Sequence, residues 1–213
     1  CPEDEAAYIL TSKTKGVSAH YLVPSRGNTV YQLVDESQRA HHAGESYWRG
    51  IDDVNSSSIG IENVNWGYTY GWMPPEPMHP LLRWAWSSII HIERRIGEYL
   101  ETRQYLPSIL LQKQWHPFPE EQIQTFIELA KQILKRYNIE DESVIGHADV
   151  SPQRKVDPGP LFPWKQLADR EIGIWPDLTT DRIHSTKPRE TSISWMQQSL
   201  AEWGYKVPHN GML

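Results

Sequence analysis

An α/β fold is expected from two signals: short strand-like runs interrupted by turn residues, and one long amphipathic stretch with a helical period. Val17 to Pro24 and Thr29 to Val34 flank Ser25-Arg26-Gly27-Asn28, a break suited to joining antiparallel strands. Ser57 to Asn65 reads as a third strand. In it Ile59 and Ile61 face a core, while Ser58, Gly60 and Glu62 face the other side. Pro119 to Tyr137 places Ile123, Phe126, Ile127, Ala130, Ile133, Leu134 and Tyr137 on one stripe. Glu120 and Glu121 in its first turn suit the positive end of a helix dipole. Val144 to His147 reads as a fourth, short strand, and Pro163 to Ala168 as a short helix. Thr191 to Val207 carries Ile193, Met196, Leu200 and Trp203 near helical spacing, with Gly204 as a stop.

With 213 residues and 38% apolar content the chain supports one sizeable domain and an appendage. A net charge of -6 argues against a nucleic-acid partner. The single cysteine excludes an internal disulfide and leaves the redox compartment open. No stretch approaches the about eighteen apolar residues of a membrane span. Ten Trp and ten Tyr stand against three Phe. Such amphipathic aromatics suit contact with sugar rings, although the ordinary use of any one of them is in the core or at its rim.

The densest chemistry lies in His147-Ala148-Asp149-Val150-Ser151-Pro152-Gln153-Arg154-Lys155-Val156-Asp157-Pro158-Gly159-Pro160. Pro152 and the run Asp157 to Pro160 force turns, so the loop can fold back and bring His147 and Asp157 to one point. Zinc accepts both ligand types. Lys155 lies two residues before Asp157 and, in extended chain, on the same side. A cation there suits an oxyanion that develops during hydrolysis. Spacing alone equally allows a surface loop in which the three side chains never meet, and Glu62 alone allows a solvated strand-end carboxylate.

Taken with Ser18-Ala19-His20-Tyr21-Leu22-Val23-Pro24, His42-Ala43-Gly44 and Ser58-Ile59-Gly60-Ile61-Glu62, this loop resembles the zinc-dependent N-acetylmuramoyl-L-alanine amidases. The wider amidase_2 group includes T7 lysozyme and the peptidoglycan recognition proteins. The likeness is greatest to the AmiD branch, over Ser18 to Trp66 and Pro117 to Pro176. It implies a central mixed sheet flanked by helices, with zinc in a groove at one face. It also implies His147 and Asp157 as zinc ligands, Lys155 as the transition-state helper, and Glu62 as the carboxylate that activates the zinc-bound water. T7 lysozyme-like members place a Tyr where this chain has Ala19, which strengthens Glu62 as the base. Arg49, in Tyr47-Trp48-Arg49-Gly50, matches a stretch beside the groove and suits a peptide-stem carboxylate. Trp48 suits a sugar, and His42 completes the set of substrate-binding candidates. The ordinary alternative for Trp48 and Arg49 is loop packing or a structural ion pair.

The resemblance implies a third zinc ligand, a His about two residues upstream of Cys1, so the chain is expected to be truncated at both ends, which leaves its activity as it stands open. His20, His41 and His42 are not expected to substitute for it. Residues 1–176 are expected to form the catalytic domain, lacking its first strand. About residues 71–114 form an insertion of roughly thirty to forty residues, helical over Leu81 to Tyr105. Residues 177–190 then form a linker, and 191–213 the start of a helical peptidoglycan-binding module that either packs on the catalytic domain or frays. The expected reaction is hydrolysis of the amide between the lactyl group of N-acetylmuramic acid and L-alanine, in peptidoglycan or muropeptides of the periplasm or cell envelope. A zinc-free peptidoglycan-binding domain is the alternative, and a structural metal site in a protein of other function is a further one. Oligomeric state is silent.

Overall fold

A computed structural model of the chain describes residues 2–70, 113–176 and 192–208. Three strands, β1 (Tyr21–Val23), β2 (Tyr31–Gln32) and β3 (Ile61–Asn63), form a sheet in the order β2-β1-β3. β1 runs antiparallel to β2 and parallel to β3, so the sheet is mixed. The β1–β2 break contains Gly27 at φ +82, a conformation that glycine adopts without a Cβ clash. The ladders are shorter than the apolar runs because pairing continues irregularly beyond them. His20 N–H donates to the Gly60 carbonyl at 3.0 Å and Leu33 N–H to the His20 carbonyl at 2.8 Å.

The helical stripe forms α2 (Glu120–Tyr137), while α1 (Pro2–Thr11) precedes the sheet and was not foreseen. Ile123, Phe126, Ile127, Ala130 and Ile133 of α2 are buried as expected, and Leu134 packs against them. Leu129 and Ile133 meet Tyr21 and Val23 of β1, with Ile59 and Ile61 packed alongside. Each such side chain contributes about 1.5–3 kcal/mol on full burial. Tyr137 instead stays half exposed, its hydroxyl donating to Glu36 at 2.9 Å. Gln122 is fully buried, and its Nε2 donates to the Val23 and Val64 carbonyls at 3.1 and 2.9 Å. It thereby satisfies backbone groups where β1 and β3 leave the sheet. Asn138, at φ 51, ends α2 in the left-handed conformation.

A second, antiparallel pair joins β4 (Tyr68–Tyr70) to β5 (Lys113–Trp115). β5 thus falls at the end of the stretch read as insertion. The helical core expected for Leu81 to Tyr105 and the linker 177–190 lie outside the described residues. Among the described residues no helix is long and apolar enough to cross a membrane.

Val144 to His147 is not a strand, which corrects the expectation from the sequence. His147–Val150 forms a single helical turn, α3, because the Asp149 carboxylate reaches back to accept the Gly146 N–H at 2.7 Å. Trp164–Ala168 forms α4, the expected short helix less its first residue, Pro163. Ile193–Trp203 forms α5, capped by the Ser192 side chain accepting from Trp195 N–H at 3.1 Å and stopped at Gly204. Its predicted apolar stripe is not its buried side: Met196, Leu200 and Trp203 are exposed, and Gln197 is buried. α5 docks through its C-terminal end. Arg49 N–H donates to the Gly204 carbonyl at 3.0 Å, and the Trp48 and Tyr205 rings meet edge to face at 5.2 Å. Of the two outcomes foreseen for this segment, packing is the observed one.

Candidate active site

Glu62 is carried by β3, on the face opposite Ile61, and lies in register with Leu22 of β1. That face is the one turned away from α2, as the alternation Ser58 to Glu62 required. Gly60, two residues earlier, lies under the His42 ring: a Cβ there would come within 2.3 Å of His42 Cγ. Only a glycine leaves room for the ring.

The loop after α3 is closed by Ala148 N–H donating to the Asp157 carbonyl at 2.9 Å. This bond brings Asp157 back over His147, and His147 Nδ1 lies 2.9 Å from Asp157 Oδ2. His147 Nε2 lies 3.1 Å from the Ala43 carbonyl, which can only accept, so Nε2 carries the proton. His147 Nδ1 then faces a carboxylate oxygen, which is likewise an acceptor. Two acceptors at that distance require a proton or a metal cation between them. Bonds of about 2.0–2.2 Å in a tetrahedral shell would separate two such donors by roughly 3.3 Å, so a small opening admits zinc. The donor chemistry fits the metal, although no group of three or more His, Cys, Asp or Glu side chains able to hold one occurs among the described residues.

Burial pushes the Glu62 carboxyl above its ordinary value, and the Asp157 charge adds to the shift, while His147 and Lys155 oppose it. Burial also works to raise Asp157. There the hydrogen bond and charge of His147, with Lys155, prevail and hold it below the usual carboxylate range. The structure thus places Glu62, His147, Lys155 and Asp157 in one electrostatic neighbourhood, with the two carboxyls shifted in opposite directions. Paired carboxyls with divergent affinities for protons are the pattern of a site that separates a base from a ligand.

The other histidines are accounted for differently. His20 is buried, accepts the Gly60 N–H at Nδ1 and donates from Nε2 to the Gln38 carbonyl, both at 3.0 Å. His41 Nε2 is within 2.9 Å of Arg39. His42 stands edge-on to His20 at 5.4 Å. Burial lowers its pKa from 6.5 to about 4, with the His20 charge adding to the effect. Between those values the unfolded chain binds the proton more readily, so stability falls as pH drops through this window and is intact above it. The expected loss is about 2 to 3 kcal/mol between pH 7 and 4. Urea midpoints measured across that range should fall, and a His42→Gln variant should lack this share of the slope. A midpoint as steep in the variant as in the parent would reject the assignment.

Trp48 and Arg49 are not brought to the His147–Asp157 point. Trp48 is buried among Ala43, Val54 and Val150, and Arg49 pairs with Glu142 at 3.1 Å and holds the end of α5. Three contributors had no isolated signal in the sequence. Arg154 Nη2 donates to the Ala43 carbonyl at 2.7 Å. Tyr205 donates to the other oxygen of Asp149 at 2.7 Å. Trp115 of β5 packs so closely on Gly159, which is at φ +85, that a Cβ there would lie 2.4 Å from its ring.

Similarity to known proteins agrees with this geometry. The chain is 40% identical, over 96% of its length, to N-acetylmuramoyl-L-alanine amidase AmiD of Escherichia coli K12, and spans 64% of the length of that relative. It also matches the structure of E. coli AmiD in complex with the substrate anhydro-N-acetylmuramic acid-L-Ala-D-gamma-Glu-L-Lys, with a TM-score of 0.72 and 36% identity, covering 99% of this chain and 70% of that one. AmpDh3 of Pseudomonas aeruginosa, in complex with anhydromuramic pentapeptide, matches with a TM-score of 0.67 and 28% identity, covering 96% of this chain and 70% of that one. Residues 2–160, which hold the mixed sheet, Glu62 and the whole His147 to Asp157 loop, match the family Amidase_2, and with them the chain belongs to the N-acetylmuramoyl-L-alanine amidases.

Proposed function

We propose that this chain carries the catalytic core of a zinc-dependent amidase that cuts between the lactyl group of N-acetylmuramic acid and L-alanine in peptidoglycan or muropeptides. The observation that supports it most is His147 Nδ1 facing Asp157 Oδ2 at 2.9 Å, with both side chains electrostatically coupled to the raised Glu62 carboxyl. In this reading His147 and Asp157 hold the metal. Zinc, when bound, polarises the scissile carbonyl and makes a water nucleophilic near neutral pH. Glu62 takes the proton from the attacking water and passes it to the departing L-alanine nitrogen. Its raised proton affinity suits both transfers. Lys155 supplies positive charge to the oxygen that becomes anionic in the transition state.

Residues 1–176 form the catalytic unit, 177–190 the linker and 191–213 the beginning of a helical peptidoglycan-binding module. Substrates bound by the structurally similar amidases are anhydromuramyl peptides, and the same class is assigned to this chain. Such substrates support an assignment to the periplasm or cell envelope. Trp48 and Arg49 are assigned to holding α5, and His42 to packing behind the site, rather than to substrate contact.

Muropeptides incubated with the full-length protein should release L-alanine-led peptides, detected by mass spectrometry. A chelator should stop the release and added zinc restore it. Cleavage that survives chelation would reject the metal, and binding without cleavage would favour a recognition domain instead.

A further inference from the structure

The carbonyl that meets His147 Nε2 is itself held. Ala43 O accepts from His147 Nε2 at 3.1 Å and from Arg154 Nη2 at 2.7 Å. The same Nη2 donates to the Glu45 carbonyl at 2.9 Å. Between those carbonyls lies Gly44, at φ +62, where a Cβ would meet the guanidinium nitrogen at 2.9 Å. The backbone at 43–45 therefore wraps around one nitrogen of the cation, and no side chain separates them. Arg154 is anchored in turn, because its N–H donates to the Ser151 carbonyl at 3.0 Å and Ser151 N–H to the His147 carbonyl at 3.1 Å. Ser151 Oγ adds a second tie to the Glu45 carbonyl at 3.0 Å. The result is a closed circuit from His147 through Ala43, Arg154 and Ser151 back to His147.

We infer that Arg154 is a positioning residue for the metal: its guanidinium fixes the Ala43 carbonyl that meets His147 Nε2 and so aims Nδ1 at Asp157. The inference rests on the reading of His147 and Asp157 as zinc ligands. A backbone carbonyl accepting the far N–H of a ligating imidazole sets both the tautomer and the ring orientation. Here the carbonyl sits in a short loop whose direction is set by charge-assisted hydrogen bonds, the stronger kind. Removing the cation leaves the Ala43 carbonyl free to rotate away, and the imidazole free to turn.

The test compares full-length wild type with Arg154→Met by zinc affinity, measured in competition with a chelator, and by the imidazole nitrogen shifts of His147 in the metal-free protein. Arg154→Met is expected to bind zinc about 10- to 100-fold more weakly, and its His147 nitrogen shifts to depart from those of wild type, because the Nε2–H loses its fixed acceptor. Wild-type zinc affinity with unchanged nitrogen shifts would overturn the inference, even if the variant melts earlier. Wild type that binds no zinc would overturn the metal reading beneath it. Should the methionine variant not fold, Arg154→Lys replaces it, since an ammonium on a shorter stem is not equivalent at this site. Its weakened zinc binding would support the inference, and undiminished binding would overturn it.

Discussion

Replacing Glu62 by Gln is expected to lower amide cleavage by about 10²- to 10⁴-fold, or about 3–5 kcal/mol of barrier, with zinc content and fold unchanged. Gln keeps the shape of the side chain and the packing of β3 but cannot accept the water's proton. Because burial and the Asp157 charge raise the Glu62 carboxyl, the acidic limb of the pH profile of kcat/KM should lie above the ordinary carboxylate range. In the Gln variant that limb should vanish. The same shift has a consequence for stability. A carboxyl raised in the folded state binds its proton more readily there than in the unfolded chain, so its contribution is present at low pH and is lost as pH rises through the folded value. The metal-free Gln variant should therefore be more stable than wild type at neutral pH, as expected where a functional group sits in an unfavourable environment. Full cleavage by Glu62→Gln would remove Glu62 from the mechanism.

The second large effect is expected from His147→Ala. This variant loses a candidate metal donor and also the Nε2–H that now meets Ala43. Asp157 keeps its carboxyl but loses the partner that most lowers its proton affinity. Zinc binding should weaken by more than the about 10- to 100-fold typical of outer-shell changes, and cleavage should fall to background. Inorganic mass spectrometry after dialysis reads the metal directly. Stoichiometric zinc retained by His147→Ala would show that the metal is held elsewhere.

Much of the scaffold was legible because it is local. The β1–β2 hairpin followed from a turn containing Gly27, and α2 followed from a stripe whose buried members were named by their spacing alone. The meeting of His147 and Asp157 was an open alternative from spacing, and became an expectation only through resemblance. What spacing could not show is how the loop closes, since the Ala148 N–H to Asp157 carbonyl bond depends on backbone geometry. α3 was misread as strand because Val144 and Ile145 suggested extension, whereas Asp149 capping Gly146 decided for a turn. Arg154 stood in plain view inside the loop. Its partner is a backbone carbonyl 111 positions away, and a carbonyl has no residue signature. Trp48 and Arg49 left two readings open for a related reason: an aromatic and a cation in a loop suit a ligand as well as another part of the chain. Their partners, Tyr205 and Glu142, are visible only in three dimensions.

Some of the contacts that accompany the docking of α5 are individually feeble. Lys206 meets Asp52 at 2.9 Å with both side chains largely exposed, and such pairs contribute about 0–1 kcal/mol each. Between separate molecules this set would hardly form. Tethering changes that, because two surfaces joined through a short connection meet at an effective concentration of about millimolar or more, without paying anew for diffusional encounter. Tyr205 can therefore stay on Asp149, beneath the turn that carries His147, by virtue of connectivity as much as of contact energy.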